Sequence, residues 1–161
     1  MLSKDSLRRK NFKPDDFFVS STANKMGFVN YPPKSNELNI ITCLMSTADM
    51  MQEIRDLLGK PVIINSAYRS KKVNDAVGSK DYSQHRQGLA CDFVSPKFGT
   101  PLEIMKFLHS KGFIADQCLM EGSWLHISRK LSKEVMGKNP NRMMYGTFLP
   151  NSKGRRVFKA I

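Results

Sequence analysis

Apolar residues recur every three or four positions between residues 35 and 58. The recurring positions are Leu38, Ile41, Met45, Ala48, Met51, Ile54 and Leu58. This spacing aligns them along one face of an α-helix. Gly59 and Pro61 follow directly, so we predict a long amphipathic helix that ends at residue 58. We interpret its methionines as core packing, because flexible thioether side chains fill irregular gaps well.

The rest of the chain predicts shorter elements. In chain order we predict a strand at 61–64, a helix at 71–77, a loop at 79–88, a buried strand at 89–94, a helix at 100–111, strands at 115–121 and 124–128, and a further strand at 143–148. This order indicates an α+β fold with a small, mostly antiparallel sheet flanked by helices.

The positive charge lies at the two ends of the chain. The net charge is +12 over 161 residues, yet residues 15–126 contain as many acidic as basic side chains. We therefore predict a flexible basic arm at 1–14, one domain at 15–130, and a basic extension at 131–161 that packs on the domain or trails from it. Basic tails attract polyanions such as nucleic acid or an anionic cell wall. A nucleic-acid-binding protein is thus one alternative interpretation.

Membrane insertion and secretion signals are not predicted. No apolar run approaches the roughly 18 to 20 residues that a membrane span needs. A secretory signal peptide has an apolar stretch after its basic region, and no such stretch follows the basic N-terminus here. The three cysteines show no CxxC spacing, so we expect reduced thiols. These features predict a protein that is made in the cytoplasm without a signal peptide. We also expect a monomer.

Two of the three histidines lie in unusual local patterns. His85 stands in SQHRQGLACD, seven residues before Asp92, and His126 stands in EGSWLHIS, five residues after Glu121. Two imidazoles and one carboxylate are a common ligand set for catalytic zinc, because three protein ligands leave a fourth position open. The same spacing also fits an ordinary hydrogen-bonded pair of His and Asp.

The motif Ser83-x-His85-x-x-Gly88-x-Ala90-x-Asp92 resembles the zinc signature SxHxxGxAxD of the M15 peptidases. This family includes D-Ala-D-Ala carboxypeptidases and phage L-alanyl-D-glutamate endopeptidases, and it shares its fold with the Hedgehog signalling domain. The resemblance therefore implies a Hedgehog-like fold and a zinc-dependent peptidase that acts on cell-wall peptidoglycan peptides.

Three further segments resemble the family in the same order. They are Ser66-Ala-Tyr-Arg-Ser70, then Val73-Asn74-x-x-Val77-Gly78, then the group Asp116-Gln117, Glu121 and Trp124-x-His126. The similar region runs from about residue 17 to residue 128. A short chain without a wall-binding repeat is most similar to the phage-encoded members. We therefore expect action at the bacterial wall, from the virion or at lysis.

The resemblance also implies a role for each residue of the site. It implies zinc ligands at His85, Asp92 and His126, a general base at Glu121, a substrate contact at Arg69, and substrate-binding or supporting positions at Ser83 and Trp124. In several subfamilies the acid lies two or three residues before the last histidine, whereas here the gap is five. Asp116 and Glu134 are therefore alternative bases.

The sequence leaves two questions open, the partner of Arg69 and the presence of catalysis. Arg69 could pair with Asp75 or Asp81 at the surface instead of contacting a substrate. The domain could be an inactive zinc-binding module that recognises a ligand without cleaving it. A general base separates an enzyme from such a module, because a binding module has no need of one.

Overall fold

A six-stranded sheet forms the centre of the structure, a computed structural model that describes all 161 residues. Its strands are β1 (Ile63–Ser66), β2 (Ala90–Val94), β3 (Gln117–Glu121), β4 (Trp124–Ser128), β5 (Met144–Pro150) and β6 (Arg156–Ala160). They lie in the order β1-β2-β4-β3-β5-β6, and only the β3–β5 pair is parallel. The predicted α+β class and the mostly antiparallel sheet are confirmed.

Six helices accompany the sheet. They are α1 (Ser21–Met26), α2 (Glu37–Leu58), α3 (Lys71–Ala76), α4 (Gln84–Gln87), α5 (Pro101–Ser110) and α6 (Ser132–Met136). The predicted helices at 35–58, 71–77 and 100–111 are confirmed as α2, α3 and α5. No helix combines the length and the apolar character that crossing a lipid bilayer requires.

Local chemistry explains where the long helices begin and end. The α2 helix ends at Gly59, which adopts the left-handed conformation (φ 62°) and donates its N–H to the carbonyl of Arg55. The α5 helix begins with a reciprocal capping box, in which Thr100 and Glu103 each accept a hydrogen bond from the other's backbone N–H. Both boundaries follow from signals that the sequence shows.

The two faces of the sheet have different roles. One face of β2 and β4 carries apolar side chains that join those of α2 and α5 in the main core. They belong to Cys91, Phe93, Leu125 and Ile127. The pleat turns Asp92 and its cross-strand neighbour His126 to the opposite face. Cys91 therefore points away from the polar face, as its alternation with Asp92 predicts.

The N-terminal segment is not the mobile arm that its charge predicts. Leu7 and Phe12 are buried in the main core, and the 3-10 turn Lys4–Leu7 packs against α2. Arg9 anchors the segment from outside, because its Nε lies 2.6 Å from Oδ1 of Asp49. The burial of Leu7 and Phe12 thus holds the segment on the domain despite its high charge.

The C-terminal extension packs on the domain and enlarges its sheet. The β5 strand pairs with β3, and β6 then pairs with β5 as a hairpin edge. The predicted strand at 143–148 corresponds to β5, whereas β6 and α6 carry no sequence pattern strong enough to predict them. This extension borders the polar face of the sheet.

Candidate metal centre

Asp92, His126 and His85 meet on the polar face of the sheet. Asp92 on β2 lies opposite His126 on β4, and the short helix α4 brings His85 over them. Asp92 Oδ1 is 2.9 Å from His126 Nδ1 and 3.2 Å from His85 Nε2, and the two ring nitrogens are 3.2 Å apart. All three residues are buried, and their ligand atoms lie within 4.8 Å of one another.

The orientation of the His85 ring is fixed by backbone contacts. Its Nδ1 lies 2.7 Å from the carbonyl of Ala67. A carbonyl can only accept, so Nδ1 carries the proton and Nε2 presents a lone pair to Asp92 and His126. The backbone N–H of Arg69 donates to the carbonyl of His85, which fixes the same residue from the other side. The SAYRS segment thus orients His85.

The sequence predicts a loop where α4 forms. Ser83 caps this single turn, because its Oγ accepts a hydrogen bond from the His85 N–H. Gly88 ends the turn with φ 77°, and a Cβ there would lie 3.0 Å from Leu44 Cγ. Glycine at this position therefore allows α4 to approach α2 closely.

The geometry of the three donor atoms fits a metal ion. Ligands at the usual 2.0–2.1 Å from a tetrahedral zinc are about 3.3 Å apart, and the three separations here are 2.9–3.2 Å. With Nδ1 of His85 protonated, its Nε2 lone pair faces a carboxylate oxygen, and a cation between them relieves that repulsion. His85, Asp92 and His126 can therefore hold a metal ion.

The protonation states of His85 and Asp92 also suit metal binding. Burial lowers the pKa of His85 and outweighs the opposing effect of the Asp92 charge. Burial would raise the pKa of Asp92, but the charge that His85 carries when it is protonated and the hydrogen bond from His126 bring this pKa below its ordinary value. At neutral pH the pair is thus a neutral imidazole and an ionised carboxylate, which are the forms that bind metals.

Arg69 contacts the second oxygen of the same carboxylate. Its Nη2 lies 3.3 Å from Asp92 Oδ2, and its Nε lies 3.3 Å from Ser66 Oγ. The surface pairing is wrong, because Asp75 and Asp81 both lie next to Lys71 instead. Burial lowers the pKa of Arg69, opposed by the charges of Asp92 and Glu121. Arg69 therefore contacts Asp92 and lies close enough to Glu121 to be influenced by its charge.

Glu121 is the acidic side chain of the site whose carboxylate has no side-chain partner. It ends β3, opposite Trp124, and makes no ion pair and no side-chain hydrogen bond. Asp116 is fully buried and accepts hydrogen bonds from Arg142 and Gln84. Glu134 accepts a hydrogen bond from the backbone N–H of residue 131. The two alternative bases are thus occupied, and Glu121 is free.

Two clefts meet at the centre. One has a volume of about 800 Å³ and includes Ser83, His85 and His126 in its lining. The other has a volume of about 670 Å³ and includes Asp92 and Trp124. Arg69, Ser79, Glu121 and Arg156 line both clefts. Every residue that the resemblance assigns to the site thus lines at least one of these two neighbouring clefts, and we call the two clefts together the groove.

The sequence does not reveal the contribution of the C-terminal extension to this groove. Arg142 holds the buried Asp116 carboxylate, with Nη2 at 2.6 Å from Oδ2, and Gln84 Nε2 contacts the same oxygen at 3.0 Å. Phe148 and Arg156 line the larger cleft. Residues 131–161 show only weak periodicity, and their proximity to the groove arises from the long-range β3–β5 pairing.

Comparison with known proteins identifies the family. Residues 10–128 match the sequence model of the family described as Peptidase M15. The matched span covers well over half of the chain and includes every residue of the candidate metal centre. No curated protein matches the chain. The chain therefore belongs to the peptidase M15 family.

Proposed function

We propose that the protein is a zinc-dependent peptidase that hydrolyses peptide bonds in the stem peptides of bacterial peptidoglycan. One observation carries the proposal: three converging ligand atoms of His85, Asp92 and His126 lie in a groove beside an unpaired carboxylate, Glu121. A pure binding module would need the ligands but would have no use for a free base at that position. The membership in a peptidase family supports the same conclusion.

Each residue has a distinct task in this proposal. Zinc, when bound, supplies Lewis acidity, which makes water more acidic and polarises the amide carbonyl. Glu121 takes the proton from the attacking water and delivers it to the departing amine nitrogen. Arg69 holds a substrate carboxylate with the part of its guanidinium that Asp92 and Ser66 leave free. Ser83 and Trp124 contribute to the walls against which the peptide lies.

The cellular setting is also part of the proposal. The chain combines a peptidase domain with excess positive charge near its ends, which suits contact with an anionic wall. We propose a phage-encoded enzyme that acts on the bacterial wall during entry or lysis. Its basic surface would then retain it on wall polyanions, and this attraction would weaken as the salt concentration rises.

Mass analysis of purified stem peptides tests the function. We expect zinc-loaded protein to release two fragments whose masses add up to the substrate plus one water. A chelator should abolish the reaction, and added zinc should restore it. The fragment masses also assign the bond, D-Ala-D-Ala or L-Ala-D-Glu. Intact peptides after incubation with the zinc-loaded protein, or cleavage that a chelator does not affect, would refute the proposal.

A further inference from the structure

Arg156 reaches the groove from the C-terminal hairpin. Leu119 of β3 pairs with Gly146 of β5, so Phe148 lies level with the end of β3 and on the same face. Pro150 pairs with Arg156 across the hairpin, and directly paired residues share a face. The sheet register therefore places Phe148 and Arg156 on the face that carries the metal centre.

The guanidinium of Arg156 has no acidic partner. Arg69 pairs with Asp92 and Arg142 pairs with Asp116, whereas Arg156 forms no ion pair. Its guanidinium carbon lies 5.9 Å from the ring centroid of Phe148, within the range of a cation–π contact. The side chain is exposed and keeps its hydrogen-bond donors free.

The charges of the groove leave Arg156 available for an anion. The larger cleft contains the cations Arg69, Lys80, Lys130, Arg142 and Arg156. Its acids are Asp116, Glu121 and Glu134, and the first of these already lies between Arg142 and Lys130. The cleft therefore has an excess of positive charge. Arg156 lines both clefts, as Glu121 does.

We propose that Arg156 binds a carboxylate of the substrate peptide and thereby selects free-acid over amidated peptides. The inference rests on the proposed peptidase function. A guanidinium holds a carboxylate through two parallel hydrogen bonds, and the donors of Arg156 are free, whereas Arg69 already contacts Asp92 and Ser66. Arg156 lies outside residues 10–128, so this recognition comes from the extension and not from the family-matched span.

Three forms of one stem peptide test the proposal. The peptide L-Ala-γ-D-Glu-L-Lys-D-Ala-D-Ala is used as the free acid, as the amide of the glutamyl α-carboxyl group, and as the C-terminal amide. Wild type is compared with Arg156→Ala and Arg156→Lys. Arg155→Ala is the matched control, since it removes the same charge from the same hairpin at a position that lines neither cleft.

We expect Arg156→Ala to lower kcat/KM for the free acid by about tenfold to a hundredfold, the effect of losing charge-assisted hydrogen bonds. Arg156→Lys should recover only part of this loss, and Arg155→Ala should have little effect. For one of the two amides, wild type and Arg156→Ala should be equal, which identifies the recognised carboxylate. An equal loss on all three peptides, or a loss no larger than that of Arg155→Ala, would overturn the proposal.

Calorimetry measures the affinity for the same peptides independently of cleavage. It therefore distinguishes a failure of the peptidase proposal from a failure of the Arg156 proposal. If wild type cleaves no peptide, the peptidase function fails, but the role of Arg156 in recognition can still be measured. Weaker binding of the free acid by Arg156→Ala than by Arg155→Ala would support it. Equal affinities, or no binding by the wild type, would overturn it.

Discussion

Arg69 and Asp92 form a pair in which the two oxygens of one carboxylate have different partners. Asp92 Oδ2 accepts a hydrogen bond from Arg69 Nη2 at 3.3 Å, while Oδ1 faces both imidazoles of the candidate metal centre. The guanidinium therefore fixes the carboxylate and still borders both clefts. One residue thus links the ligand set to the place where a substrate would lie.

Replacing Arg69 tests this double role. We expect Arg69→Lys to lower kcat/KM almost as strongly as Arg69→Ala, because lysine lacks the planar guanidinium that contacts Ser66 and Asp92 and can still offer parallel hydrogen bonds to a carboxylate. Arg129→Lys, in an arginine that pairs with Glu53 and lines neither cleft, should have little effect. A wild-type kcat/KM in Arg69→Lys would show that Arg69 takes no part in substrate binding.

Glu121→Gln tests the assignment of the base. This variant should keep its fold and its zinc but lose about 10²- to 10⁴-fold in kcat, which is the usual contribution of a general base. Glu134→Gln is the control, because Glu134 lines the same cleft but its carboxylate accepts a backbone hydrogen bond. Steady-state rates and zinc content are the measurements. Full activity in Glu121→Gln would exclude it as the base.

The buried Asp116 carboxylate should make stability depend on pH. Burial alone would raise its pKa, but hydrogen bonds from Arg142 and Gln84 bring the pKa below its ordinary value. The charged form therefore stabilises the fold above about pH 4, and this stabilisation disappears as the pH falls through the lowered pKa.

Asp116→Asn should accordingly be less stable than wild type at pH 7 by about 1–3 kcal/mol. The difference should shrink as the pH falls below about 4, where the carboxylate is protonated first in the unfolded chain and then, at lower pH, in the native protein. Urea unfolding at several pH values measures it, and Asp56→Asn, at an exposed position on α2, is the control. A difference that stays constant from neutral to acidic pH would contradict this account of Asp116.

Leu7→Ala tests whether the N-terminal segment belongs to the core. Leu7 is fully buried, so its truncation should cost about 2–5 kcal/mol of unfolding free energy. Leu2→Ala, at an exposed position five residues earlier, should change stability little. Denaturant unfolding of both variants is sufficient. Equal stability of Leu7→Ala and wild type would restore the interpretation of a mobile arm.

The ligand set follows from the resemblance to the M15 peptidases, whose motifs are local in the sequence. His85 and Asp92 belong to one motif, His126 belongs to a second, and the structure brings the three side chains together. The helix boundaries at Thr100 and Gly59 are likewise set by neighbouring residues. Side chains that are fixed by nearby backbone can be placed without knowledge of the rest of the fold.

Long-range pairing explains what the sequence does not reveal. Arg142 meets Asp116 across 26 positions, and Arg156 reaches the groove only because β5 joins β3 in parallel. The burial of Leu7 also depends on residues that are distant in the sequence. The local sequence around Leu7 and Phe12 does not show which part of the domain these side chains will pack against. Charge composition alone therefore misjudges the N-terminal segment.

Metal analysis of purified variants tests the central claim most directly. We expect about one zinc per chain in wild type and in the control His109→Ala. His109 lies on α5 and packs against Tyr145. His85→Ala and His126→Ala should each lose nearly all of it. Stoichiometric zinc that persists in both His85→Ala and His126→Ala would contradict the assignment of the metal centre.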